Sequence, residues 1–204
     1  MQNNLHFAAF DVDPKADREA VVDLLTRWTA AARRLVLGGE VSAKGAFGGG
    51  EKFPPDDSGE AFDLGPAGLT LTFGFGRSFF RDQLGLAGKL PAEFTEMPTM
   101  TNDLLNRDFS EGDLCIQACA NDPQVASHAI RNLTRMAVPT AVLRWSQIGF
   151  GRAGATGTGE STPRNLFGQV DGTVNPRSDE DYAEQVFADD GSSSLVVRRI
   201  AMDL

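Results

Sequence analysis

Cysteine and histidine are both scarce in this 204-residue chain, two of each. Cys115 and Cys119 are too few for a disulfide scaffold, and their spacing is neither that of a zinc site nor that of a thioredoxin-like pair. Placed on one strand, they stand about 13 Å apart at roughly 3.3 Å per residue, beyond the ~7 Å that a disulfide tolerates. They read as buried, inert thiols. His6 falls on a strand and His128 on a helix, each without a second His or Cys at ligand spacing, so both read as packing or surface histidines. No Ser-His-Asp or Cys-His arrangement can be argued.

Basic residues are also in deficit. Nineteen Lys and Arg face 28 Asp and Glu, for a net charge of −9, which opposes binding to nucleic acid phosphates or anionic lipid. No apolar run approaches the roughly 20 residues that cross a bilayer, and residues 1–10 lack the basic and apolar regions of a signal peptide. A phosphate-binding G-x-x-x-x-G-K-[ST] is missing, as is any internal repeat. Membrane insertion and nucleic acid as a partner are therefore not expected.

What is present is a regular alternation of strand and helix signals. Residues 5–12 form a short apolar run with β character, and Asp13-Pro14 supplies an N-cap followed by proline at the first helical position. Val21, Leu25, Trp28, Ala32 and Leu35 then recur at helical spacing until Gly38-Gly39. Residues 38–68 are rich in Gly, Pro, Asp and Lys without period and read as an irregular excursion. Leu69, Leu71, Phe73 and Phe75 alternate with Thr70, Thr72, Gly74 and Gly76, a strand whose glycine face implies a close neighbour. Residues 77–106 suggest short helical turns, and Phe73, Phe75, Phe79 and Phe80 an aromatic part of the core.

Leu114, Ile116 and Ala118 mark a third strand, and Asn121-Asp122-Pro123 opens a second helix carrying Val125, Ala129, Leu133 and Met136. That helix must end before Pro139, and residues 140–150 form a fourth strand. The order strand, helix, strand, strand, helix, strand predicts an α+β fold, the ferredoxin-like split βαβ sandwich: a four-stranded antiparallel sheet with two helices on one face. Residues 1–150 would form this domain, and 151–204 a loop followed by a strand at 195–202.

The loop holds the candidate chemistry. Gly149-Phe150-Gly151-Arg152-Ala153-Gly154 matches G-x-G-x-x-G, yet residues 156–163 cannot open the helix that a dinucleotide site requires. The denser candidate runs from Arg164 and Asn165 through Gly168, Asp171, Gly172, Thr173 and Val174 to Pro176. Two readings fit Asp171 on spacing: a structural Asx turn, or an acid held in an apolar cleft and poised for proton transfer.

The stretch G-Q-V-D-G-T, within P-R-N-L-F-G-Q-V-D-G-T-V-N-P, resembles the G-x-x-D-G signature of the dye-decolorizing (DyP-type) peroxidases. Residues 5–12, 69–76 with their G-F-G, 112–133 and 144–151 (R-W-S-Q-I-G-F-G) resemble the same family, most of all its exported branch, which includes haem peroxidases of bacterial iron-uptake systems. The resemblance implies two ferredoxin-like domains with haem b in the second, of which residues 151–204 would contribute the G-x-x-D-G loop and a first strand. It implies that Asp171 is the distal acid moving a proton between the two oxygens of peroxide. Gly172, Thr173 and Val174 would approach the haem, and Arg164 and Asn165 would organise the loop.

The family's iron-ligating histidine and its distal arginine lie downstream of the signature, and no residue of this sequence matches either position. The resemblance therefore implies an N-terminal portion of a longer protein, shortened at both ends, whose own activity it does not guarantee. Its partners would be hydrogen peroxide and a small aromatic reductant such as a dye, phenol or porphyrin. A second copy of the chain, or a carboxy-terminal half, would complete the pocket. Its location would be the periplasm or the exterior. The rival expectation is a non-catalytic ferredoxin-like module whose terminal strand pairs with a second chain.

Overall fold

A computed structural model describes residues 2–151, 164–165, 167–170, 172 and 174–201. The chain divides into two compact units, residues 1–151 and 152–204. In the first, strand β1 (Asn4–Val12) is followed by helix α1 (Arg18–Leu35), β2 (Thr70–Phe75), β3 (Leu114–Ala120), helix α2 (Pro123–Ala137) and β4 (Ala141–Phe150). All neighbouring strands pair antiparallel, in the order β2-β3-β1-β4. This is the ferredoxin-like sandwich expected from the element order.

Strand alternation sets which residues meet the helices. In β1 the residues Ala8, Phe10 and Val12 join Ile116 and Ala118 of β3 and Phe73 of β2 beneath the helices. From α1 come Val21, Leu24, Trp28, Ala31 and Leu35, and from α2 come Val125, Ala129, Ile130 and Leu133. The buried stripe of α1 thus runs through Leu24 and Ala31 rather than Leu25 and Ala32. Trp28 lies at its centre. Its ring stands 5.4 Å from Phe10 and 5.8 Å from Phe73, and its indole N–H donates to the Leu133 carbonyl of α2 at 2.8 Å. Of the aromatic cluster, Phe79 is buried and Phe75 is half-exposed beside it at 5.0 Å.

The first helix begins later than the Asp13-Pro14 signal suggests. Asp17 is the N-cap, its carboxylate accepting from the Ala20 amide, whereas the Asp13 carboxylate accepts from Lys15 N–H in a separate turn. Asp13 N–H also still donates to Thr140, so this residue belongs to the sheet end and not to the helix. The matching signal at Asp122-Pro123 does start α2, with the Asp122 carboxylate accepting from Gln124 and Val125.

The glycine face of β2 has the neighbours expected of it. A methyl group added to Gly74 would sit 2.6 Å from Cys115 Sγ, and one added to Gly76 would collide with the Gly112 carbonyl oxygen. Cys115 and Cys119 are both free thiols, as expected, but partly rather than fully buried, because they alternate with Leu114, Ile116 and Ala118, whose face meets the core; the burial they do have pushes each thiol pKa up. Opposite the Ala9/Phe10 step the register of β4 slips, and the bulge lifts Arg144 toward Asp11.

In the second unit the structure adds a helix, α3 (Asp179–Gln185), within the stretch expected to be loop. Its signal was present. Ser178 accepts from the Asp181 amide while the Asp181 carboxylate accepts from the Ser178 amide, a capping box with aspartate at its third position. Residues 195–201, expected to be a strand, form no ladder with another strand among the described residues. A strand needs a paired neighbour to satisfy its backbone groups.

Candidate functional site

The stretch that carries the G-x-x-D-G pattern opens as a tight hairpin. Arg164 and Val170 face each other as an antiparallel bridge, and Asn165 N–H donates to the Gln169 carbonyl at 2.9 Å. Gly168 N–H closes the turn on the Asn165 carbonyl at 2.9 Å, and Gly168 takes φ +76°, the left-handed position that such a loop reserves for glycine. The Asn165 side chain fills the mouth of the turn: its carboxamide oxygen accepts from Phe167 N–H at 3.0 Å and from Gln169 N–H at 3.1 Å. From outside, Arg164 Nη1 donates to the Gly168 carbonyl at 2.7 Å.

Both residues expected to organise this loop are therefore hydrogen-bonded within it. Gly172, with φ +77°, accepts from Asn175 N–H at 3.3 Å and turns the chain again. Phe167, Val170 and Val174 leave their apolar side chains exposed, Val174 at 91%. Asp171 and Thr173 lie outside the described residues, as do residues 152–163 and with them the end of the G-x-G-x-x-G match.

A second polar constellation, in the first unit, was not read from the sequence as a group. Asp57, fully buried, pairs its Oδ1 with His128 Nε2 at 2.8 Å, and its Oδ2 accepts from Val41 N–H at 2.9 Å. Gly59 N–H donates to the same carboxylate at 2.7 Å. One turn along α2, Asn132 accepts from Ser58 N–H at 3.0 Å, donates to Ser58 Oγ at 2.7 Å and donates to the His128 carbonyl at 3.0 Å. These bonds fasten the irregular excursion onto α2. Histidine 128 is thus a satisfied packing residue, as expected, with its Nε2 engaged.

His6, the other histidine, lies half-buried on β1 opposite Ala118 and Ile148, and burial lowers its pKa by disfavouring the imidazolium. Among the described residues no group of three His, Cys, Asp or Glu side chains could hold a metal ion. Nor is any described helix long and apolar enough to cross a membrane. Over the other face of the sheet, Arg144 donates to the carbonyls of Ser110 and Arg107 while Trp145 donates to that of Glu111.

Comparison with known proteins places this architecture. A family model described as Dyp-type peroxidase, N-terminal matches residues 1–151, and one described as Dyp-type peroxidase, C-terminal matches residues 162–204. The deferrochelatase of Escherichia coli strain K12 is 34% identical over 188 residues, 90% of this chain and 43% of that protein. The deferrochelatase of Yersinia pestis bv. Antiqua is 33% identical over 178 residues, 86% of this chain and 40% of that protein.

Among solved structures, a DyP-type peroxidase from Streptomyces coelicolor superposes with a TM-score of 0.77 at 38% identity, over 92% of this chain and 48% of that one. An oxyferrous complex of DtpA from Streptomyces lividans gives 0.77 at 39% identity, over 92% and 48%. The chain spans less than half the length of the curated relatives it matches. With one family model matching residues 1–151, the other residues 162–204, and the hairpin at the start of the second match, the chain belongs to the Dyp-type peroxidase family.

Proposed function

We propose that these residues serve a haem-dependent peroxidase that reduces hydrogen peroxide and oxidises a small aromatic reductant, a dye, phenol or porphyrin. The observation that carries the reading is the 164–170 hairpin, closed on itself and leading directly into Asp171-Gly172 within the second family match. The name of the relatives, deferrochelatase, supports porphyrins among the substrates.

The described residues fit one wall of a haem site. Phe167, Val170 and Val174 offer uncovered apolar side chains to a flat apolar ring, and Gly172 offers backbone without a Cβ. No histidine lies among these residues; the two of the sequence are His6 and His128, and His128 is engaged by Asp57. Haem, when bound, supplies the redox chemistry. Asp171 would take a proton from one peroxide oxygen and return it to the other, which needs a carboxylate within hydrogen-bond reach of both. Gly172, Thr173 and Val174 would line the ring beside it, and Arg164 and Asn165 would hold the hairpin that precedes it. Location in the periplasm or outside the cell belongs to the same proposal and rests on the resemblance to the exported branch.

The test is a hemin titration of the chain followed through the Soret band, then addition of hydrogen peroxide. A saturable band that converts on peroxide, more slowly in Asp171→Asn with binding retained, is the expected result. Non-saturating binding and a spectrum unmoved by peroxide would overturn the reading for these residues. An Asp171→Asn variant as fast as the parent would remove the role given to that carboxyl.

A further inference from the structure

We propose that the cleft beside α3, in the second unit, binds a small aromatic cation. Its volume is about 560 Å³, within the range of pockets that hold drug-sized ligands, and its walls are Asp179, Tyr182, Ala183, Phe187, Ala188 and Asp189. Binding there requires neither haem nor peroxide.

The local fold builds both walls. Asp179, Tyr182 and Ala183 stand at positions i, i+3 and i+4 and so share one face of the helix. The amides of Val186 and Phe187 both donate to the Tyr182 carbonyl, at 3.0 and 3.2 Å, which ends the helix and brings Phe187 round to the same cleft. Ala188 N–H then donates to the Ser192 carbonyl at 2.9 Å and Gly191 N–H to that of Ala188 at 2.8 Å, closing residues 188–192 into a turn. This turn carries Asp189.

Charge selects the occupant. Residues 178–190 hold six carboxylates and no Lys or Arg. Two of the six are engaged by main-chain amides, Asp181 by those of Arg177 and Ser178 and Asp190 by that of Ser192. Asp179 and Asp189 have no hydrogen bond or ion pair among the described residues, and both border the cleft. An anion would be repelled, and a neutral apolar partner would cover two carboxylates without supplying a counter-charge. A cation supplies it, and the rings of Tyr182 and Phe187 attract a cation and stack on an aromatic one. Asp179 lies at the amino end of α3, where the helix dipole already draws on its charge, so Asp189 should contribute more.

The probe is methylene blue, a planar aromatic monocation, with anthraquinone sulfonate as its anionic counterpart, each titrated at low ionic strength into the chain labelled with carbon-13 tyrosine. Tyr182 is the one tyrosine of the sequence, so its ring gives a single set of signals. These signals should move and saturate at one dye per chain, and the sulfonate should leave them in place. Asp189→Asn should weaken dye binding roughly three- to tenfold, whereas Glu51→Gln, which removes the same charge from an exposed position of the first unit, should leave the dissociation constant unchanged. Tyr182 signals that do not move, or that respond equally to the sulfonate, would overturn the proposal. Equal weakening by Glu51→Gln and Asp189→Asn would overturn it too, by tracing the binding to net charge alone.

Discussion

Asp57 Oδ1 lies 2.8 Å from His128 Nε2, both side chains within the core, although 71 positions of sequence separate them. The pair, with Asn132 beside it, ties the loop after α1 to the second helix. Breaking a buried pair from one side leaves an uncompensated polar group, at a cost of about 3–5 kcal/mol when that group is charged. His128→Ala should therefore lower the stability of the first unit by about that amount. Chemical denaturation measures it, and a loss below ~1 kcal/mol would show the carboxylate to be satisfied by the amides alone.

Acid should act on the same contact. Burial, the largest influence on Asp57, pushes its pKa up, but bonds from His128 and from the Val41 and Gly59 amides, with the charge of His128 when protonated, outweigh it and hold the carboxyl below the usual range. A depressed folded-state pKa gives stability that is fully present above the unfolded value, near 3.9, and is lost as pH falls through the folded value. The unfolding midpoint against pH should lose part of its acid limb in Asp57→Asn, and an identical limb in the variant would exclude this group as its source.

Close approach in the sheet makes a third prediction. Gly74 admits no methyl group because Cys115 Sγ occupies the space. Gly74→Ala should cost about 1–3 kcal/mol through overpacking, and most of that should be recovered when Cys115→Ala is added. Additive effects in the four-protein cycle would place the strain elsewhere, for instance in the backbone of β2.

Local signals in the sequence served where a residue acts on its own neighbours. Asp122-Pro123 is followed directly by helix, and the alternation through 70–75 and 114–120 identified two strands of the sheet. The same Asp-Pro pair at Asp13 misled because Pro14 is followed by a turn that ends only at Asp17, and nothing in the dipeptide itself separates the two cases. The helical stripe of α1 shifted by one position because 3.6 residues per turn lets adjacent apolar residues compete for one face, and Leu24 lies more squarely beneath the core than Leu25.

The candidate site was legible in another way. Gly168 and Gly172, both named within the candidate stretch, take the positive φ that glycine admits. The bonds of Asn165 follow a local Asx pattern and could be anticipated; those of Asp57 could not, since its partner lies on an element formed far along the chain and no periodicity links the two.

Where β4 ends, Gly151 N–H donates to the carbonyl of Asn3 at 3.0 Å, beside the first residues of β1. Entry to the sandwich and exit from it are thus a single hydrogen bond apart. A unit with adjoining ends can be copied, transplanted into a loop of another protein or circularly permuted without a linker having to span its diameter. For the sandwich of residues 3–151, that makes modular reuse a matter of short joints.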